Sequence, residues 1–286
     1  KTNFRPIDYL NIICASRCPY FLISAYDIYN QTESEKTNMI DILNKMRADG
    51  KIILLDSGNY ESYWHKDKNW NIEKYNEILK NEFCTLCFSY EYKNIEEGKS
   101  RLIKKTIENA ISNQKVTNGY VFPIIYAKWE DLDDVCCSVV KNILPKCIAI
   151  PERLLGAGIV TRVQKLRKIR NSLNELGFYT PIHLLGSGNP LALLLFTDAG
   201  ADTFDGLEWC QTYIDKNTFL VHHFQFKEIF ETNDHSINNY DAATLYGNIR
   251  TYQYINKLIQ ETLKNNEMEN LLSKFFPVDF IKQLSL

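Results

Sequence analysis

The sequence lacks several features, and each absence removes a class of protein. No apolar run approaches the ~20 residues a membrane-spanning helix needs; the longest dense one, LALLLF, occupies only 191–196. No membrane partner is therefore expected. The chain opens KTNFRPIDYL without an initiating Met and without a basic, apolar, small-residue signal pattern, so a short leader ahead of it is expected and secretion is not. Charge of one sign is also missing. Thirty-three Lys plus Arg against thirty-five Asp plus Glu leave a net charge of −2, so no global field gathers a polyanion and any attraction to nucleic acid must be local. No Gly/Ser linker, low-complexity tract or short repeat divides the chain, and residues 1–286 are read as one domain.

What is present is ordinary globular composition, 45% hydrophobic and 24% charged, which excludes disordered and fibrous classes. A chain of 286 residues can bury roughly 75% of its unfolded surface, and an α/β barrel commonly needs about 250 residues. The eight cysteines are even in number, but a chain this long and core-rich needs no disulfide frame, so reduced thiols in a cytoplasmic protein are expected. CASRC at 14–18 and CTLC at 84–87 invite a four-Cys zinc reading. Residues three apart in a strand face opposite ways, however, so core packing is the expectation for Cys84 and Cys87. His222, His223 and His235 have no ligand frame around them, and no metal is expected.

Short apolar or β-branched runs recur as candidate strands at 11–15, 21–26, 51–56, 84–90, 121–126, 147–151, 181–186 and 201–205. Most are separated by helix-length segments with apolar residues three and four apart, such as Ile159, Val163, Leu166, Ile169 and Leu173. The repeated strand–helix unit favours a (β/α)8 TIM barrel over about 10–210. After Asp205 the alternation stops. LVHHFQF at 220–226 reads as an appended strand, ETNDHSINN at 231–239 as a polar loop, and 242–265 with 271–276 as a helical tail that closes the barrel, so 211–286 forms the appendage.

In such a barrel the reactive groups project from the C-terminal ends of the strands. Asp56 ends KIILLD ahead of the turn SGN, and Asp205 ends ADTFD ahead of Gly206. Two carboxylates meeting at a barrel mouth suit nucleophilic and acid/base work on a glycosidic bond. The competing reading makes each Asp a cap of the following turn or helix, and spacing alone leaves both open.

Three segments carry a resemblance. LLDSGNYES at 54–62, IHLLGSGNP at 182–190 and TDAGADTFDGLEW at 197–209, with the tail LYGNIRTYQYINKLIQETLKN at 245–265, together resemble in order the signature segments of tRNA-guanine transglycosylases. The resemblance implies that Asp205 attacks the anomeric carbon of the sugar and that Asp56 is the general acid/base for the leaving and entering base. It also implies that Tyr60 stacks on the base opposite Leu185, which replaces a Met, and that Gly186 allows close backbone approach. Ser57, Gly58 and Asn59 shape the turn, and Glu61 stands where the family has Gln. That double displacement requires no metal or cofactor.

Elsewhere the chain departs from the family. Ser89 takes the place of the base-reading Asp, with Glu91 two residues on, and Tyr126 replaces a base-contacting Gln. Glu152 lies in the pocket wall, where it either accepts from the purine or pairs with Arg153. The zinc module that grips tRNA is missing, since no Cys follows Cys210. The basic helix TRVQKLRKIRNS at 161–172 reads as a solvated outer face. The substrate implied is therefore not ordinary tRNA. Guanine or a 7-deazaguanine base would be exchanged or released on a nucleic acid, a nucleoside or a base-modified protein. Transglycosylase-like relatives in bacterial antiviral and DNA-modification gene clusters suggest a homodimer or a defence-system protein as partner. The alternatives are a catalytically inactive base- or protein-binding barrel and an N-glycoside hydrolase.

Overall fold

The computed structural model describes residues 4–230 and 239–284. It opens with a helix where the apolar run 11–15 predicts a strand: α1 spans Pro6–Ala15. Proline at the first helical position carries a preset φ, and Asp8 accepts the Arg5 backbone N–H at 2.9 Å. Ile7, Leu10 and Ile13, three apart, are the buried residues of this helix. A five-residue apolar run does not distinguish a strand from the inward stripe of such a helix.

Beyond α1 the strand–helix alternation is present. The first half holds β1 (Tyr20–Ser24), α2 (Ala25–Tyr29), α3 (Glu33–Ala48), β2 (Ile52–Asp56), α4 (Asn59–Trp64), α5 (Ile72–Leu79), β3 (Leu86–Phe88), α6 (Lys99–Gln114) and β4 (Tyr120–Phe122). The second half continues with α7 (Leu132–Ile143), β5 (Ile148–Pro151), α8 (Ile159–Asn174), β6 (Ile182–Leu185), α9 (Pro190–Asp198) and β7 (Thr203–Phe204). The strands form two parallel sheets, β1-β2-β3-β4 and β5-β6-β7, linked by a parallel bridge between Ile124 and Ala149. Spatial order thus follows chain order, and all C-terminal strand ends lie along one edge.

One face of this sheet curls inward. Leu22, Leu54, Phe88, Phe122, Ala149 and Leu185, one from each of β1 to β6, meet in a single apolar cluster with Ile124 and Tyr126. The Phe88 ring lies 4.9 Å from that of His183, although β3 and β6 would stand roughly 14 Å apart in a flat sheet of this order. The opposite face is covered by helices in two further cores, one around β1 to β3 and one around β5 and β6. Cys84 and Cys87 are buried within the first of these, where burial pushes the Cys87 thiol up to about 12.

The appendage comprises α10 (Glu208–Gln211), β8 (Thr212–Ile214), β9 (Val221–His223), α11 (Lys227–Phe230), α12 (Tyr240–Lys264), α13 (Met268–Phe275) and α14 (Val278–Leu284). β8 and β9 pair antiparallel, so the strand expected over 220–226 ends at His223 and gives way to a turn. Most of the expected 231–239 loop, and His235 with it, lies outside the described residues. α12 packs against both α1 and α9, elements from the two ends of the strand series.

The basic helix α8 is only in part a solvated face: Lys168 is exposed, but other cations turn inward. Lys165 is 3% exposed and Arg170 7%. Lys165 donates to Asp133 at 2.9 Å and Lys168 meets the same carboxylate at 2.8 Å. Arg162 pairs with Glu152, Arg167 with Asp198 and Arg170 with Asp202. A helical wheel shows which side a cation occupies; it does not reveal carboxylates brought from α7, α9 and the loop before β7.

Candidate active site

The first half of the site grows from the end of β2. Asp56 sits opposite Ser24 in the parallel register, and the chain then turns through Gly58 at φ +79°. A Cβ on Gly58 would stand 2.5 Å from Tyr26 Cβ, so only glycine fits. The tight turn aims the Gly58 N–H at Asp56 Oδ2, 2.8 Å away. It also starts α4, which carries Tyr60, exposed, and Glu61, whose Oε2 accepts from the Ser24 hydroxyl at 3.0 Å. After β3, Glu91 accepts from the Ser57 hydroxyl at 2.5 Å and from the Asn59 amide, and meets Lys93 at 3.3 Å.

These carboxyls perturb one another. Burial raises Asp56 well above the ordinary Asp range, and the charges of Glu61, Glu91 and Asp205 raise it further against the single opposing pull of the Gly58 amide. Burial and then Asp27 lift Glu61 to about 7. Burial alone takes Asp27 to about 6.

The second half grows from the end of β7. Asp205 Oδ1 accepts the Gly186 N–H at 2.5 Å, and Oδ2 stands 3.5 Å from His183 Nε2. The carboxylate is thus held at one oxygen by a backbone amide and faced at the other by an imidazole nitrogen. Three residues on, Glu208 accepts the Gly188 N–H and is raised by burial, then by Glu152 and Asp205. Gly188 is essential to that contact, because a Cβ there would lie 1.9 Å from Glu208 Oε2. Since Asp205 also acts electrostatically on Asp56, the two halves form one acidic neighbourhood at the C-terminal strand ends.

No protein-family model matches the chain, and no curated protein matches it.

The geometry sorts the remaining sequence candidates. Tyr60, in the first turn of α4, is 45% exposed and meets Trp64 in a T-shaped ring contact. Leu185 lines the inward cluster at the end of β6, and Gly186 is exposed and holds Asp205. Ser57 and Ser89 are fully buried. The Ser57 hydroxyl is engaged by Glu91 and that of Ser89 accepts the Ile124 N–H at 3.2 Å, so both serines fix the wall and neither presents its hydroxyl to a bound base. Glu91 is brought to the Asp56 side and Tyr126 lies buried beneath, its hydroxyl reached by Arg153 at 3.4 Å. Glu152 pairs with Arg162 at 2.6 Å rather than with Arg153. The reason is geometric: Arg162 begins its reach from the first turn of α8, while Arg153 turns over the Tyr126 ring.

Sequence reasoning passed over His183, Glu208 and Asp27. The two-residue spacing of His183 and Leu185 on one strand face, and the place of Glu208 three residues after Asp205, were the available signals. Among the described residues no group of three or more His, Cys, Asp or Glu is arranged to hold a metal ion.

Proposed function

We propose that the protein is a transglycosylase-like enzyme that exchanges or releases guanine or a 7-deazaguanine base by double displacement. Asp205 serves as nucleophile and Asp56 as acid/base, at the mouth of a closed (β/α)8 barrel in the cytoplasm. The observation that carries this reading is the contrast between the two carboxyls. Asp56 is crowded by burial, Glu61 and Glu91 toward its protonated form, whereas Asp205 has a backbone amide on one oxygen and an imidazole near the other. Two carboxyls in one site, one crowded toward its protonated form and the other oriented by the groups around it, divide the work of acid and nucleophile.

The chemistry follows from that contrast. An Asp205 oxygen bonds to the anomeric carbon as the carbon–nitrogen bond breaks; the electron pair leaves with the base, and Asp56 supplies the proton the base takes up. In the second half the incoming base gives its ring proton to the Asp56 carboxylate and attacks the anomeric carbon, and the ester pair returns to Asp205. Tyr60 stacks on the base, and Leu185 forms the apolar surface on its other side. The cations of α8 are consumed by ion pairs, which supports a substrate other than ordinary tRNA: a nucleoside, another nucleic acid or a base-modified protein.

The test incubates the protein with labelled guanine and, separately, guanosine, 2′-deoxyguanosine, single-stranded DNA and total tRNA. Intact-protein mass spectrometry then looks for a glycosyl adduct. Label incorporation together with an adduct that disappears in Asp205→Ala supports exchange. Base release without incorporation assigns hydrolysis instead, and neither adduct nor release with any substrate refutes the enzymatic reading.

A further inference from the structure

We propose that His183 is a positioning residue for Asp205, holding the carboxylate through an Nε2–H whose tautomer is fixed by the Thr203 hydroxyl. This rests on the reading of Asp205 as nucleophile. His183 is 3% exposed on β6, between the Phe88 ring at 4.9 Å and the neighbouring strand β7. Its Nδ1 lies 2.9 Å from Thr203 Oγ1, and its buried Nε2 completes no hydrogen bond. The group facing that nitrogen is Asp205 Oδ2, at 3.5 Å.

Neutral imidazole carries one donor and one acceptor nitrogen. If Thr203 accepted from Nδ1, the lone pair of Nε2 would face a carboxylate oxygen in a buried place, with neither group satisfied. If the Thr203 hydroxyl rotates to donate to Nδ1, the proton sits on Nε2 and points at Asp205. The second arrangement removes both penalties. At 3.5 Å the contact is slightly open, as catalytic hydrogen bonds often are before substrate binds.

The consequence concerns both halves of the double displacement. Gly186 N–H holds Oδ1 and His183 faces Oδ2, so the plane of the carboxylate is fixed. Whichever oxygen bonds the sugar, the other retains a donor. When the glycosyl ester breaks and negative charge returns to Asp205, that donor is already in place and stabilises the departing carboxylate. His183 touches no reacting atom of the substrate; it acts through Asp205.

The first test needs no substrate. Side-chain ¹H–¹⁵N correlation spectra of the full chain at pH 8 should place the His183 proton on Nε2. Asp205→Ala should shift that Nε2–H signal, and Thr203→Val should give a mixture of tautomers. A proton on Nδ1 in the wild type, or an Nε2–H signal unmoved by Asp205→Ala, overturns the proposal even if Asp205 proves to be the nucleophile. The second test is kinetic, with the substrate that gives base exchange. His183→Phe should lower turnover by about 100-fold, the loss typical of one preorganised donor, while KM for guanine stays within about twofold. His183→Gln, which restores an N–H near the Nε2 position, should recover most of the rate. Wild-type turnover in His183→Phe, or in Gln a loss equal to that in Phe, overturns it. Unchanged exchange in Asp205→Ala would instead overturn the functional reading on which the proposal rests.

Discussion

Replacing Glu61 by Gln should stabilise the protein, with a gain that opens above about pH 4.5 and is nearly complete by about pH 7. The Glu61 carboxyl is raised from 4.5 to about 7 in the fold, first by burial and then by Asp27. A carboxyl whose folded value lies above its unfolded one stabilises the fold fully below about 4.5 and loses that stabilisation as pH rises through about 7. The gap of about 2.5 pH units corresponds to about 3 kcal/mol, an upper bound for a side chain that keeps some contact with water. Gln carries no charge at any pH, and its amide oxygen can still accept from Ser24, as Glu61 Oε2 does at 3.0 Å. Urea unfolding of wild type and Glu61→Gln should therefore give matching free energies near pH 4.5, and a variant more stable by up to about 3 kcal/mol near pH 8.5. Equal stabilisation at both values would place the gain outside electrostatics, and a less stable variant at pH 8.5 would refute the reasoning.

The same carboxyl network predicts the pH dependence of catalysis. Base release should fall as pH rises and Asp56 loses its proton; Glu61→Gln removes a charge that raises Asp56, so the falling limb should move to lower pH, and a limb that stays put contradicts the role given to Asp56. Gly58→Ala should destabilise by about 3 kcal/mol or more, combining left-handed strain with overpacking, because its methyl would meet the Tyr26 backbone at 2.6 Å. A loss under about 1 kcal/mol in thermal melts would mean that the turn relaxes at little cost. Asp133→Ala leaves the buried Lys165 ammonium without its 2.9 Å partner and should cost about 3 kcal/mol. Urea midpoints equal to wild type would show that Lys165 finds water or another acceptor.

How much of this was legible in the sequence depended on how local each feature is. Asp56 and Asp205 stood out because each ends an apolar strand and precedes a glycine-bearing turn, all within a few residues. The strands from KIILLD to ADTFD were legible for the same reason, whereas NIICA was not: the stripe Ile7, Leu10 and Ile13 begins ahead of that run, at Pro6. His183 looked like one more interior residue of β6, since its importance depends on sheet curvature that brings it to Phe88 and on Asp205 arriving from β7. Glu208 was hidden because the space for it is made by Gly188, twenty residues earlier. Ser57 and Ser89 were placed at the correct strand ends, but sequence does not tell whether a hydroxyl faces a ligand or a neighbouring wall. The cations of α8 were misjudged because their counter-charges lie on other elements.

The two sheets meet at few points, and this gives the seam between them an unusual role. Asp56 belongs to the first sheet and Asp205 follows the second, so the gap a glycosidic bond must bridge is set by how those halves abut at Ile124, Ala149, Phe88 and His183. A substitution at the junction could leave every reactive atom chemically intact and still detune the spacing, much as loosening a hinge misaligns the jaws of pliers. Variation at Ile124, Ala149 and Phe88, which carry no reactive group, is therefore a route by which the strand-end machinery could be adjusted to carriers of different size.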